Sequence, residues 1–156
     1  MNECLSYDDV LLIPQYSNIK SRSEVDTGIA LDKDNYFNIP IITSPMDTIT
    51  EDAMAIAIGK LGGLGVIHRY NDIGIQAEMV QSTRQNLPID IPIAAAIGIT
   101  GDFKERAFEL CKAGASILCL DVAHGHHILM KESLEELKGE FGSTIHLMAG
   151  NIASKE

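Results

Sequence analysis

Five short apolar runs recur along the chain, at 39–43, 64–68, 91–97, 116–121 and 145–149, and their first residues stand 25, 27, 25 and 29 positions apart. None alternates between apolar and polar residues. Unbroken apolarity is the pattern of strands covered on both faces, as in a parallel sheet, whereas a half-exposed strand alternates in and out. Amphipathic stretches lie between the runs. Thr50 is positioned to cap a first helix carrying Met54, Ile58 and Leu61, with Gly62-Gly63 as its stop. Asn71 or Asp72 opens a second, with Ile73, Ala77 and Val80 on one stripe. Asp102 and Glu105 have the spacing of a capping box before Phe103, Ala107, Leu110 and Cys111, and Gly114 closes that helix. The fourth helix shows Met130, Leu134, Leu137 and Phe141, with Gly142 as its stop.

A strand–helix unit repeated about every 25 residues builds either an open doubly wound sheet or a closed barrel. An open nucleotide-binding sheet carries a glycine-rich phosphate loop after its first strand. Here that place holds Ser44-Pro45-Met46-Asp47-Thr48. A barrel spreads polar groups over the carboxyl ends of all its strands. This chain does so at Ser44–Thr48, His68-Arg69, Gly98–Thr100, Asp121–His127 and Gly150-Asn151. The expected fold is therefore α/β, a (β/α)8 TIM barrel truncated to about five βα units. Residues 1–33 form an N-terminal arm, 39–156 form barrel units one to five, and 35–38 and 85–90 are short connections. A complete barrel takes roughly 250 residues, so 156 residues read as its front part, with a fifth helix beginning at Ser154.

Composition narrows the function. With 12 Lys and Arg against 22 Asp and Glu the net charge is −10, which argues against a nucleic-acid binder, since such proteins release counterions from phosphates through basic side chains. No apolar run reaches the ~18 residues of a membrane span, and the first residues lack a secretory apolar core. Cys4, Cys111 and Cys119 are odd in number and lack metal-ligand spacing. Reduced thiols in a cytoplasmic setting follow.

The densest chemistry is Asp121-Val-Ala-His-Gly-His-His127. Asp121 is suited to accept hydrogen bonds from a ribose or amide, with Gly125 letting backbone approach; the plainer reading is a turn fixed by Asp121 beside solvated histidines. A metal-dependent barrel hydrolase built on His124, His126 and His127 is a further alternative. Pro45 keeps Ser44 extended, and Met46 offers a polarizable surface for a flat base, or else packs in the core. Arg69 is a candidate cation for an anionic ligand, or a partner for surplus carboxylates. Gly98–Asp102 is a weak anion or amide site, or simple capping. Cys111 and Cys119 read as core thiols, not activated nucleophiles.

Several segments resemble a known family. Tyr7–Pro14, Thr43–Glu51 and Gly62–Arg69 are similar to the N-terminal part of IMP dehydrogenase, and Ser21–Thr27, Asp121–His126 and Met148–Asn151 to that of its sister, GMP reductase. The resemblance implies a purine-nucleotide oxidoreductase: IMP to XMP with NAD through a cysteine thioimidate, or alternatively GMP to IMP with NADPH. It implies that Ser44, Met46, Gly150 and Asn151 meet the nucleotide, and that Asp121, Ala123 and Thr100 meet the cofactor. No catalytic residue falls within the chain, because the family's cysteine lies after a sixth strand, beyond Glu156; a metal site in the chain is not implied. A potassium ion and a homotetramer belong to the complete enzyme. The regulatory domain pair common in the family after the second helix is absent, since Asn86 runs straight to Ile91. Ala123 stands where IMP dehydrogenases commonly carry serine, and Arg69 where GMP reductases carry a catalytic lysine. The Ser-Pro-Met-Asp-Thr segment tips the resemblance toward IMP dehydrogenase. Alone, the chain is expected to be inactive; a non-catalytic assembly module that hides its open sheet edges against a partner is the remaining alternative.

Overall fold

The five apolar runs form five strands of one parallel sheet in a computed structural model that describes residues 5–33 and 35–153. Cys4 and the expected helix start at Ser154 lie outside the described residues. A small antiparallel hairpin comes first, β1 (Ile29–Ala30) with β2 (Tyr36–Phe37). The sheet then runs β3 (Ile42–Thr43), β4 (Leu64–Ile67), β5 (Ala94–Ile97), β6 (Ile117–Asp121) and β7 (His146–Gly150), neighbours in sequence order. Helices α1 (Asp52–Lys60), α2 (Ile73–Asn86), α3 (Phe103–Ala113) and α4 (Ile128–Phe141) link consecutive strands. All pairings among β3–β7 are parallel, and the sheet curls as a half-barrel of alternating βα units. No helix among the described residues is long and apolar enough to cross a membrane.

The absence of alternation has the cause the sequence predicts. Every residue of β4 and β5 is buried, because the sheet is covered on both sides. Outward-pointing Ile67, Ala95, Ile97, Leu118 and Leu120 pack with helix residues such as Val80, Ala107, Leu110 and Leu137. On the concave side Leu64, Val66, Ala94, Ala96, Ile117 and Cys119 cluster with Phe37. Phe37 comes from the hairpin, whose loop is tied to the start of β7 by a 2.8 Å pair between Asp32 and His146 Nε2. The hairpin thus covers the amino-terminal end of the strands and leaves the carboxyl ends open.

Three local expectations are corrected. Residues 35–38 are not a plain connection, since Tyr36 and Phe37 pair with the arm at Ala30 and Ile29. Thr50 does not cap α1. It is fully buried, and its hydroxyl donates to the Ser44 carbonyl at 2.7 Å while pairing with the Thr43 hydroxyl at 2.9 Å. Asp102 makes no capping bond to α3; the Arg106 guanidinium claims its carboxylate at 2.7 Å, because a charge-assisted bond is stronger than a cap to a neutral amide. That guanidinium also holds the Asp102 carboxyl below the usual carboxylate range. Gly114 ends α3 as expected, at φ 113° in the left-handed region where glycine carries no steric cost.

Candidate active site at the strand carboxyl ends

Parallel strands place all their carboxyl ends on one rim, so residues far apart in sequence meet there. Asp121 ends β6 and pairs in register with Gly150 at the end of β7. Strand alternation puts Asp121 on the concave side with Ile117 and Cys119. It is half-buried, and its carboxylate receives no hydrogen bond from the described residues.

Beyond this pair the β6 and β7 loops are stitched backbone to backbone. Val122 N–H donates to Gly150 O at 2.9 Å, Asn151 N–H to Val122 O at 2.8 Å, and Gly125 N–H to Asn151 O at 2.7 Å. The Gly150–Asn151 peptide is cis. A Cβ on Gly125 would lie 2.7 Å from the Asn151 carbonyl oxygen. The approach expected at Gly125 is therefore made by the neighbouring loop of the same chain.

Across the rim the segment 44–50 folds as a turn, with Met46 N–H on Ser44 O and Thr50 N–H on Met46 O, both at 2.9 Å. His68 N–H reaches Thr50 O at 3.2 Å and joins this turn to the end of β4. Ser44 and Met46 are both exposed on it, so Met46 is not a core residue. His68 itself is buried, its Nδ1 accepting from Tyr70 N–H at 3.1 Å and its Nε2 standing 3.5 Å from Glu51. Arg69 reaches over Gly98 and donates from Nη2 to the Asp121 carbonyl at 3.3 Å, with its guanidinium 5.3 Å from the Tyr70 ring centre. Its Nε is buried without a hydrogen-bond partner. Its hydrogen-bond acceptor among the described residues is a backbone carbonyl, and its charge adds to that of Arg106 in holding down the Asp102 carboxyl.

Thr100 and Ala123 are exposed on their loops, and the Thr100 carbonyl and the Arg69 guanidinium both lie against Gly98. The three histidines do not converge on a metal. His127 Nδ1 accepts from Leu129 N–H at 3.1 Å as the cap of α4, the His124 and His126 rings are 6.5 Å apart, and no cluster of three ligating side chains occurs among the described residues.

Burial pushes the thiols of Cys111 and Cys119 up to about 11, with the charge of Asp121 adding to the effect at Cys119. At pH 8 roughly one thiol in a thousand is then ionised, and the thiolate is the nucleophile. Alkylation at pH 8, read site by site by mass spectrometry, should be about tenfold or more slower at both cysteines in the folded chain than in urea.

Sequence reasoning missed one rim component. Gln76 is fully buried and Arg106 nearly so, and together they brace the strand ends. The available signal was Gln76 at a core position of α2, in step with Ile73, Val80 and Thr83 at helical spacing.

With this geometry in place, the comparisons with known proteins bear on the whole chain. A family model described as IMP dehydrogenase / GMP reductase domain matches residues 4–156. An inosine-5'-monophosphate dehydrogenase of Borreliella burgdorferi is 31% identical over 201 aligned residues, covering 99% of this chain and 49% of that protein. One of Cryptosporidium parvum is 31% identical, covering 97% of this chain and 47% of that protein. A GMP reductase of Leishmania donovani is 43% identical over 83 residues, covering 53% of this chain and 17% of that protein. The chain spans about half the length of the first two relatives. A match along nearly every residue, on a parallel βα sheet whose rim joins Asp121 to Gly150 and Asn151, places the chain in the IMP dehydrogenase / GMP reductase family.

Proposed function

We propose that the chain forms the front part of a purine-nucleotide oxidoreductase that converts IMP to XMP with NAD, and that further barrel units are needed for turnover. The observation that carries this is the junction of Asp121 with the stitched 150–151 loop on the rim. It fixes a carboxylate beside a backbone loop without committing that carboxylate to an internal bond. Asp121 suits the ribose hydroxyls of a nicotinamide cofactor, which are donors in need of an acceptor. When bound, NAD accepts the hydride that leaves the purine ring. Ser44 and Met46 hold the base from the opposite side of the rim, and Gly150 and Asn151 carry the loop that faces it.

The nucleophile is not Cys111 or Cys119. One sits on the flank of α3 and the other in the packed concave cluster, and burial keeps both protonated. A family cysteine from a later barrel unit would supply it. The 201-residue alignment exceeds the 156 residues of this chain, which supports the reading that an inserted segment of the relative has no counterpart here.

GMP reduction with NADPH is the second reading, favoured by Ala123 and by the relative from Leishmania donovani. The deciding assay uses the polypeptide extended through whatever its gene encodes after Glu156. NADH formation with IMP is expected; NADPH consumption with GMP would reassign the chain to the sister reaction, and turnover by the 156 residues alone would overturn the requirement for further units.

A further inference from the structure

We propose that Gln76, clamped by Arg106, is a positioning residue that ties the carboxyl end of β4 to β5 and thereby sets where Arg69 meets Asp121. The proposal rests on the functional reading of Asp121 only for its kinetic consequence. The geometry stands without it. Pairing between β4 and β5 stops at Ile67 with Ala95, whereas β5 stays paired with β6 to Ile97 and Leu120, and β6 with β7 to Asp121 and Gly150. β4 thus ends at Ile67, and β5 runs on through Ala96 and Ile97 without a β4 partner.

The side chain of Gln76 reaches this end of β4 from α2. Its Nε2 donates to Ala96 O at 2.8 Å and, more weakly, to Ile67 O at 3.4 Å, so one amide bridges carbonyls on the two neighbouring strands. Its Oε1 accepts from Arg106 Nη1 at 2.7 Å. Arg106 is only 7% exposed. Its Nη2 also donates to Asn71 O at 3.1 Å and to Asp102 at 2.7 Å, and its Nε to Asp102 at 3.2 Å. The amide therefore has its orientation set from α3, and the bridge width is fixed by side chains locked on two helices.

Stability alone does not call for this arrangement. A buried polar pair can often be exchanged for apolar residues of similar volume at little cost. Position is the property the bridge supplies. Arg69 lies two residues beyond Ile67 and Gly98 two beyond Ala96, and the Arg69 side chain crosses Gly98 to reach the Asp121 carbonyl at 3.3 Å. A change in this bridge moves the root of Arg69 relative to β6.

The test exchanges both partners, Gln76→Met with Arg106→Leu, so that neither side chain is left buried without the other, and adds Arg106→Lys as the conservative variant. In the 156-residue chain, NMR should show the Arg69 Nε–H and Asp121 amide resonances shifted in the double variant and close to the parent in Arg106→Lys, with a cooperative thermal transition retained in both. Unmoved Arg69 and Asp121 resonances in a folded double variant would overturn the proposal. Should the double variant fail to fold, Gln76→Glu keeps a partner for Arg106 but removes the amide donors; the same two resonances should shift in it, and their staying in place would equally overturn the proposal. In the extended, active polypeptide the variant lacking the bridge should raise the cofactor KM about fivefold with kcat changed less than about twofold. If Asp121→Ala raises that KM and loss of the bridge does not, the positioning role fails. If neither raises it, the cofactor role of Asp121 fails while the NMR result still decides the bridge.

Discussion

Replacing Phe37 by alanine should lower the unfolding free energy by about 3–5 kcal/mol, the range for removing a buried aromatic side chain and leaving a cavity. Phe37 is the hairpin's contribution to the concave cluster, packed with Leu64, Val66, Ala94, Ala96, Ile117 and Cys119. The two alanines leave space that the ring fills. Its loss uncovers the concave side of three strands and weakens the docking of the hairpin, which the Asp32–His146 pair at the surface cannot replace. Urea unfolding followed by circular dichroism measures the effect. Leu12→Ala, at a side chain almost wholly in solvent, should shift stability by less than about 0.5 kcal/mol. Equal effects at the two positions would show that the hairpin does not close the sheet.

The second large effect is expected at Gly125. A valine there places Cβ 2.7 Å from the Asn151 carbonyl oxygen and 3.0 Å from Ile152, and the nearest obstacle is backbone, so the loops after β6 and β7 must separate. Crowding of this kind costs about 1–3 kcal/mol. The catalytic effect should be greater, because displacing a positioning loop by about 1 Å can cost on the order of a hundredfold in rate. The extended polypeptide carrying Gly125→Val should lose about a hundredfold in kcat, and the isolated chain should show its largest NMR shifts at residues 150–152. Gly139→Ala serves as the control: a Cβ there meets nothing within 4 Å, and activity should be unchanged. A Gly125→Val enzyme of normal kcat would mean that the stitched loops do not hold the reacting partners.

The sheet was legible because its strands are apolar without interruption, a pattern that burial on both faces imposes and few other structures share. The four helices were legible from their stripes. The hairpin was not, since strands of two residues leave no periodicity, and Phe37 stands beside Tyr36 in a segment that otherwise reads as polar linker. The caps failed for a related reason. Thr50 and Asp102 are good capping residues by type, but each finds a stronger local claim, the Ser44 carbonyl for one and the Arg106 guanidinium for the other. At the rim, Asp121 and Gly150-Asn151 were found as separate loops of suggestive composition; their register was not visible in the sequence, because it depends on how β6 and β7 pair. Gln76 and Arg106 were hidden by their polarity, which made two braced interior residues look like ordinary helix surface.

The most direct measurement is the steady-state kinetics of the extended polypeptide with Asp121→Ala, varying cofactor and nucleotide separately. Loss of a hydrogen bond to a charged acceptor should raise the cofactor KM by about tenfold or more, with the nucleotide KM unchanged. A nucleotide KM that rises instead, or a cofactor KM that does not move, would contradict the assignment of this rim to the nicotinamide cofactor.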